Sequence, residues 1–320
     1  MQAIDSYVRK KVAVKAIVGH LGWQMTQSRM CELIDTFPAF LTYWTRVQGK
    51  PLDDQLERWA MEYLSPCPEL LDKQIEDYSS QNLDWRQIAR EKVFPYLTER
   101  LPAMQEAHQN LLALCQPIYA RAQQVLAFDS KAIFVIYVGI GCGAGWATTF
   151  RGLPAILFGL ENIAESGWSD PQAITGLVAH EIGHLVHHHW RAQYGKPLGS
   201  GPWWQLYEEG FAQYCENLIL APSTWHQATD DNDGNWLDWC QRHKGWLAAE
   251  FVRTVDAGKP VSPFFGSWLE ICGKSETGYF LGYEVIKELE KHFNLNEIAL
   301  LENPEVYVRS ILEQIKEHGG

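Results

Sequence analysis

The sequence has no apolar run that could cross a membrane. Its longest strongly apolar run, residues 132–140, falls far short of the roughly 20 apolar residues that a membrane-spanning helix needs. The N-terminal segment carries basic residues, but Lys15 and His20 interrupt the apolar stretch that follows, so we expect no secretory signal peptide. These absences favour a cytoplasmic protein with no membrane span.

The sequence also lacks paired cysteines and an excess of positive charge. Seven cysteines are scattered along the 320 residues without a C-x-x-C pair, which favours free thiols in a reducing compartment. Lys and Arg number 27 against 39 Asp and Glu, for a formal net charge of −12. Because nucleic-acid binding needs a basic surface, we expect no nucleic-acid partner. None of these features bears on the oligomeric state.

What the sequence does contain is a globular proportion of hydrophobic residues, 46% against 21% charged residues. Apolar residues spaced three and four apart predict a helical N-terminal region over residues 1–126, with helices near 53–64, 69–78 and 84–96. Prolines at positions 38, 51, 66, 68, 95, 102 and 117 should end or bend these helices.

Residues 127–320 form the second predicted region. Strand-forming runs at 132–140 and 154–160 open it, and helices follow near 171–190, 204–220, 235–257, 278–293 and 304–317. We therefore expect an α+β protein that is mostly helical.

Two segments resemble ligand-binding loops without meeting their requirements. The glycine-rich segment 139–145 lacks both G-x-G-x-x-G spacing and a Gly-Lys-Ser/Thr ending, so its glycines predict a turn or a close backbone approach between strands. The acidic segment 230–234 fails as an EF-hand, because Thr229 and Cys240 would occupy two of the calcium-ligand positions. It predicts a turn that leads into a helix.

The clearest chemical pattern is His180-Glu181-x-x-His184. Asp170 followed by proline predicts the start of a helix that continues to about Trp190. On that helix the two histidines share one face and can bind one metal ion. Glu181 would lie beside a metal-activated water. The pattern is typical of a zinc hydrolase, so Zn2+ is the expected cofactor.

A catalytic zinc normally has three protein ligands, so a third must be found. In metzincins it is a histidine six residues after the second motif histidine, but Trp190 occupies that position here. The other common solution is a glutamate on the following helix, where Glu208 and Glu209 are both available. Gly210 and Ala212 are small where this helix should pack against the motif helix. The sequence does not show how the second helix is rotated about its axis, so either glutamate could be the third ligand.

The segments HEIGH (180–184) and EEGFAQY (208–214) together resemble the gluzincin metallopeptidases, the superfamily of thermolysin and the aminopeptidase-N-like enzymes. The resemblance implies a zincin-like catalytic domain that hydrolyses a peptide or protein substrate. Glu209, directly before Gly-Phe-Ala, would be the third ligand and Glu181 the general base. The separation between the two motifs is longer than in the aminopeptidase-N-like enzymes. Residues 130–295 are more similar in layout to a bacterial group of predicted zinc-dependent proteases, which share a strand pair, H-E-x-x-H, E-G-x-A and a late G-Y-x-x-G-Y, here 278–283.

The resemblance also suggests an oxyanion-stabilising residue, because gluzincins commonly place a tyrosine or histidine near the developing oxyanion. Tyr279 and Tyr283 lie four residues apart and are the candidates, with Tyr279 preferred. Both could instead pack in the core. His226 and His243 are further candidates for the same role.

Two other groups of residues admit a functional and a structural interpretation. Glu161, in Gly-Leu-Glu-Asn, resembles the glutamate of the exopeptidase motif G-x-M-E-N that binds a substrate's amino end, but an edge strand ending at a polar loop explains it equally well. His187, His188 and His189 could be extra ligands. A solvated helix end or a supporting role is the expected alternative, because imidazolium suits a helix C-terminus.

Two alternative functions fit the same residues: a non-catalytic zinc-binding or regulatory protein, and a zinc hydrolase of non-peptide amides or esters. The intact Glu181 weighs against the first, because a structural zinc site does not need that carboxylate. For the peptidase, we expect a substrate strand to pair with the edge of the sheet formed by 132–139 and 154–160.

Overall fold

The computed structural model describes residues 31–220, 225–228, 236–266 and 269–318. Four strands form one sheet: β1 Glu32–Asp35, β2 Ile133–Tyr137, β3 Gly145–Phe150 and β4 Leu153–Gly159. The α-helices are α1 Phe37–Val47, α2 Leu52–Arg58, α3 Pro68–Ser80, α4 Trp85–Ile88, α5 Leu97–Val125, α6 Leu160–Glu165, α7 Pro171–Gln193, α8 Pro202–Ile219, α9 Trp236–Arg242, α10 Lys244–Asp256, α11 Thr277–Leu289, α12 Leu295–Ala299 and α13 Pro304–His318. The prediction of an α+β, mostly helical protein is confirmed.

The chain divides into two compact units, Met1–Val178 and Ala179–Gly320. The sheet and helices α1–α6 belong to the first unit, and helices α8–α13 belong to the second. The division falls within α7. The predicted boundary between residues 126 and 127 lies inside the first unit, between α5 and β2.

The sheet has the order β1-β2-β4-β3, with β1, β2 and β4 parallel and β3 antiparallel to β4. The strands predicted from residues 132–140 and 154–160 are present as β2 and β4. All five residues of β2 are buried, which explains its unbroken apolar sequence. Because β2 and β4 occupy the central positions, the expectation that they form a free edge is wrong. The edges are β1 and β3.

Strand β1 lies in the region predicted to be helical. It pairs with β2 so that Leu33 is opposite Phe134. Directly after it, the Thr36 hydroxyl donates to the carbonyl of Ile136 at 3.0 Å and lies 2.6 Å from the Tyr63 hydroxyl. A strand of four residues is too short for an alternating pattern to identify it, and its pairing with β2 is a long-range contact that local sequence does not reveal.

The prolines of the first unit do not all interrupt helices. Pro102 and Pro117 lie inside the 29-residue helix α5, so of the two predicted effects, ending or bending a helix, neither proline ends one. An internal proline costs about 3 kcal/mol in an isolated helix. Here α5 buries ten side chains along its length, and such packing supplies most helical stability in proteins.

The segment 139–145 makes the predicted close backbone approach. A Cβ on Gly159 would lie only 2.5 Å from the carbonyl oxygen of Gly143. The N–H groups of Gly139 and Gly141 donate to the two carboxylate oxygens of Glu161, at 2.7 and 3.2 Å. Glu161 is 0% exposed, and burial raises its pKa to about 7. A carboxylate enclosed in this way supports the structural interpretation of Glu161 over the binding of a substrate's amino end.

Glycines govern the packing of α8 in the second unit. A Cβ on Gly183 of α7 would lie 2.7 Å from the Cα of Ala212, so the prediction of close approach at Ala212 is confirmed. Gly210 faces a different helix: its Cβ would lie 2.2 Å from the carbonyl carbon and oxygen of Gly282 in α11. The expectation that Gly210 packs on the motif helix is therefore wrong. Helix α8 packs on α7 with one face and on α11 with another.

Several smaller predictions can be compared with the structure. The helix predicted over 235–257 is two helices, α9 and α10, separated at His243. The acidic segment 230–234 lies outside the described residues. All seven cysteines are free thiols, as predicted. In the described part of the chain, no helix is both long and apolar enough to cross a membrane.

Candidate metal centre

Helix α7 begins where the sequence predicts. The Asp170 carboxylate accepts hydrogen bonds from the N–H groups of Gln172 and Ala173, at 2.8 and 3.2 Å, and Pro171 is the first helical residue. These contacts satisfy free N–H groups of the first turn. The helix ends at Gln193, three residues later than predicted. Its regular backbone carries both motif histidines on one face.

The two motif histidines converge on Glu209 of α8. The Nε2 atoms of His180 and His184 each lie 3.2 Å from the same carboxylate oxygen, Oε2 of Glu209. In a tetrahedral zinc site with bonds of about 2.0–2.1 Å, ligand atoms lie about 3.3–3.4 Å apart. Two imidazole nitrogens and one carboxylate oxygen are also a donor set that zinc accepts. The arrangement fits a zinc ion.

Glu181 lies in a buried position directly after the first motif histidine. Its side chain is 6% exposed, and Oε2 has no hydrogen-bond partner among the described residues. Burial is the largest influence on its carboxyl group and raises its pKa to about 7. An unpartnered buried carboxylate oxygen is costly. Glu181 therefore holds an unused acceptor directly after the first motif histidine.

Glu209 and His184 carry opposite charges that stabilise each other. Burial raises the pKa of Glu209, but the His184 charge and the hydrogen bonds from both histidines outweigh it and lower the pKa to about 2. Burial lowers the pKa of His184, while Glu209 raises it more, to about 9. Glu209 is thus a carboxylate at neutral pH, the form that binds metals.

The adjacent glutamate points elsewhere. Glu208 Oε1 lies 2.6 Å from His188 Nε2, and Glu208 Oε2 accepts the indole N–H of Trp204 at 2.8 Å. Consecutive helical residues point about 100° apart, so the two glutamates meet different histidines of α7: Glu208 contacts His188, while Glu209 contacts both motif histidines. The structure brings Glu209, and not Glu208, to the two histidines.

A buried carboxylate that the sequence analysis missed lies behind the first motif histidine. Glu216 is 0% exposed, and its Oε2 lies 2.8 Å from His226 Nδ1 and 3.7 Å from His180 Nδ1. Carboxylates in this position orient metal-binding histidines. Glu216 follows Glu209 by seven residues, two helical turns on the same face, and this spacing was the available signal. His226, a candidate for the oxyanion role, is instead packed behind His180, with ring centroids 5.0 Å apart.

The two tyrosine candidates have different surroundings. The ring centroid of Tyr279 lies 5.5 Å from that of His180. Burial raises the pKa of Tyr279 well above 10, so its hydroxyl keeps its proton at neutral pH. Tyr283 packs against Trp225, with ring centroids 5.1 Å apart, and His243 stacks on a tryptophan of α9. The structure thus places Tyr279 beside the motif, and Tyr283 and His243 in other contacts.

The histidines after the motif differ from one another. His187 is 0% exposed and stacks on Phe211, with ring centroids 4.8 Å apart. Burial lowers its pKa to about 4, so it is neutral and is not part of a solvated helix end. His188 contacts Glu208, as described above. Of His187 and His188, it is therefore His188 whose ring nitrogen lies at hydrogen-bond distance from Glu208.

Comparison with protein-family models, curated proteins and solved structures gave no match. Function must therefore be argued from the chemistry of the site. The gluzincin resemblance depends on the two sequence motifs.

Proposed function

We propose that the chain is a zinc-dependent metallopeptidase of the gluzincin type, with a zincin-like catalytic unit. The observation that carries the proposal is the convergence of His180 Nε2 and His184 Nε2 on one oxygen of Glu209, each at 3.2 Å. These three residues would hold the zinc ion. A peptide or protein substrate and a cytoplasmic location stay predictions from the sequence.

The chemistry needs a Lewis acid, a base and a proton donor. Zinc, when bound, polarises a carbonyl and lowers the pKa of a water molecule toward neutrality. Glu181 would accept the proton of the attacking water, and the absence of a hydrogen-bond partner for its Oε2 among the described residues supports this role. Tyr279 donates its hydroxyl hydrogen to the oxyanion that develops on the attacked carbonyl.

Glu216 and His226 support this arrangement without touching the substrate. Glu216 lies 3.7 Å from Nδ1 of His180 and, with a metal on Nε2, would favour the tautomer that carries hydrogen on Nδ1. Nε2 of His180, which contacts Glu209 in this structure, would then be free to bind the metal. His226 holds the Glu216 carboxylate from its other side.

Cleavage of a mixed peptide library, read by mass spectrometry, tests the proposal. Wild type and Glu181→Gln are compared at equal zinc content, with the exposed Glu302→Gln as a control. We expect cleavage by wild type and the control, and a rate at least about 100-fold lower for Glu181→Gln, because loss of a general base costs about 10²–10⁴-fold.

The other outcomes separate the alternatives. Zinc bound at one equivalent with no cleavage of any peptide would overturn the peptidase proposal in favour of a binding protein. Hydrolysis of simple esters or non-peptide amides that disappears in Glu181→Gln, with peptides untouched, would keep the catalytic site and change its substrate class.

A further inference from the structure

We infer that the protein has a second site for a divalent transition-metal ion, formed by His188 and Glu208 with His184 at its inner side. One donor atom from each of these residues lies within 4.8 Å of the other two. Imidazole nitrogen and carboxylate oxygen are ligands for zinc and its neighbours in the first transition row. The site would be adjacent to the proposed catalytic centre, because the two groups share His184.

Glu208 is held in the orientation that this site needs. The indole N–H of Trp204 binds Oε2 at 2.8 Å and thereby turns Oε1 toward His188 Nε2, 2.6 Å away. The buried His187 also directs Nδ1 at the same Oε1, at 3.6 Å, and has no hydrogen-bond partner among the described residues. Support of a ligating carboxylate by outer hydrogen bonds is characteristic of metal sites.

Among the described residues, no lysine or arginine forms an ion pair with Glu208. Its ion-pair partners in the described part of the chain are the imidazoles of His187 and His188. Arg191, on the same helix, donates instead to the carbonyl oxygens of Pro197, Ala299 and Leu301. A cation would therefore meet a carboxylate whose neighbours are themselves potential ligands.

Metal binding would displace the hydrogen that His188 and Glu208 share. The hydrogen between His188 Nε2 and Glu208 Oε1 would leave as a proton to solvent, since a ligating imidazole must be neutral at that nitrogen. The two atoms would separate from 2.6 Å to about 3.3 Å. His188 has 26% of its side chain exposed, so it has room for this movement.

Exposure indicates which site is the weaker. The exposed side-chain fraction rises from 3% at His180 to 12% at His184 and 26% at His188. With the first ion bound to His184, the outer ion keeps two protein ligands and water in its remaining positions. We therefore expect it to bind at least about tenfold more weakly and to exchange with solvent ions.

Calorimetric titration of the metal-free full chain with Zn2+ tests the inference, without any use of activity. Wild type should bind one tight and one weaker equivalent. His188→Gln and Glu208→Gln should lose the weaker equivalent and keep the tight one. Glu209→Gln should lose the tight equivalent and keep the weaker one. Failure of the proposed catalytic centre can therefore be distinguished from failure of the second site. His189→Gln, in the same histidine run, is the matched control and should keep both.

The inference is wrong if wild type binds only one equivalent, or if the weaker equivalent survives in both His188→Gln and Glu208→Gln. Circular dichroism establishes that each variant is folded. His188→Asn serves as a second test if His188→Gln does not fold. Co2+ titration gives an independent result: the absorption bands of the second equivalent should be missing from the His188 and Glu208 variants.

Discussion

At the scale of single residues, the candidate centre is a row of alternating imidazoles and carboxylates. Glu216 contacts His226 and faces His180 from behind, while Glu209 joins His180 to His184 from the front. Each histidine of the motif is thereby oriented by a carboxylate. Such orientation reduces the freedom that metal binding would otherwise remove.

Replacing Glu216 with glutamine should weaken zinc binding without removing a ligand. We expect a loss of about 10–100-fold in zinc affinity, because outer carboxylates fix the tautomer and orientation of ligating histidines. Competition with a chelating dye measures the affinity. Cys215→Ala, a buried neighbour on the same helix, is the control for a loss of packing alone. Equal affinities for Glu216→Gln and Cys215→Ala would show that Glu216 only packs.

The residues of the site differ in how far the sequence predicts them. His180, Glu181 and His184 follow from spacing alone, since any regular helix puts residues four apart on one face. Glu209 could be preferred over Glu208 only through a family resemblance, because the glutamate that faces the histidines depends on how α8 is rotated relative to α7. Glu216 was missed because a carboxylate behind a ligand has no motif of its own.

At the scale of elements, direct backbone contacts with α11 position helix α8. A Cβ on Gly210 would lie 2.2 Å from the Gly282 carbonyl, and one on Gly282 would lie 2.4 Å from the Leu206 carbonyl oxygen. Helices α8 and α11 can approach this closely only with glycine on both sides. The approach sets the rotation of α8 and, with it, the direction of Glu209.

Gly210→Ala should therefore destabilise the protein. Glycine to alanine inside a helix usually stabilises by about 0.5–1 kcal/mol. Here the added methyl group would force the helices apart at a cost of about 1–3 kcal/mol or more. Urea unfolding measures the difference. An unchanged or raised unfolding free energy would mean that the two helices do not pack as described.

Glu161 should make stability depend on pH in the first unit. Burial raises its pKa from 4.5 to about 7, so the folded state keeps a proton that the unfolded state loses between these values. Stability from this group is full below about pH 4.5 and falls as pH rises to about 7, by up to about 3 kcal/mol. Urea unfolding at pH 5 and pH 8 should show a smaller decline for Glu161→Gln. An identical decline in both proteins would contradict this role.

Periodicity predicts most of the helices and both central strands, and it fails where tertiary contacts decide. Strand β1 exists through its pairing with β2, and Pro102 lies inside α5 despite its local preference. The break between α9 and α10 at His243 has no proline to announce it, and the nearby Gly245 lies inside α10 and not at the break. Local preference could not predict these three features, because none of them is local.

At the scale of the whole molecule, the candidate ligands all belong to the unit Ala179–Gly320. Zinc should therefore stabilise that unit, by about 4 kcal/mol at a free concentration 1,000 times the Kd. Hydrogen exchange read by mass spectrometry should show slower exchange in α8 and α11 with zinc than with a chelator, and little change in β2 and β4. Equal protection across both units would contradict a local site, and Glu209→Gln should abolish the difference.

The most direct test of the central claim is the anomalous diffraction of a zinc-loaded crystal, recorded on both sides of the zinc absorption edge. The strongest peak should lie about 2.0–2.2 Å from His180 Nε2, His184 Nε2 and a Glu209 oxygen, with the Glu181 carboxylate beside it and not bound to it. A strongest peak between His180 Nδ1, Glu216 and His226, or no zinc peak at the motif, would contradict the account.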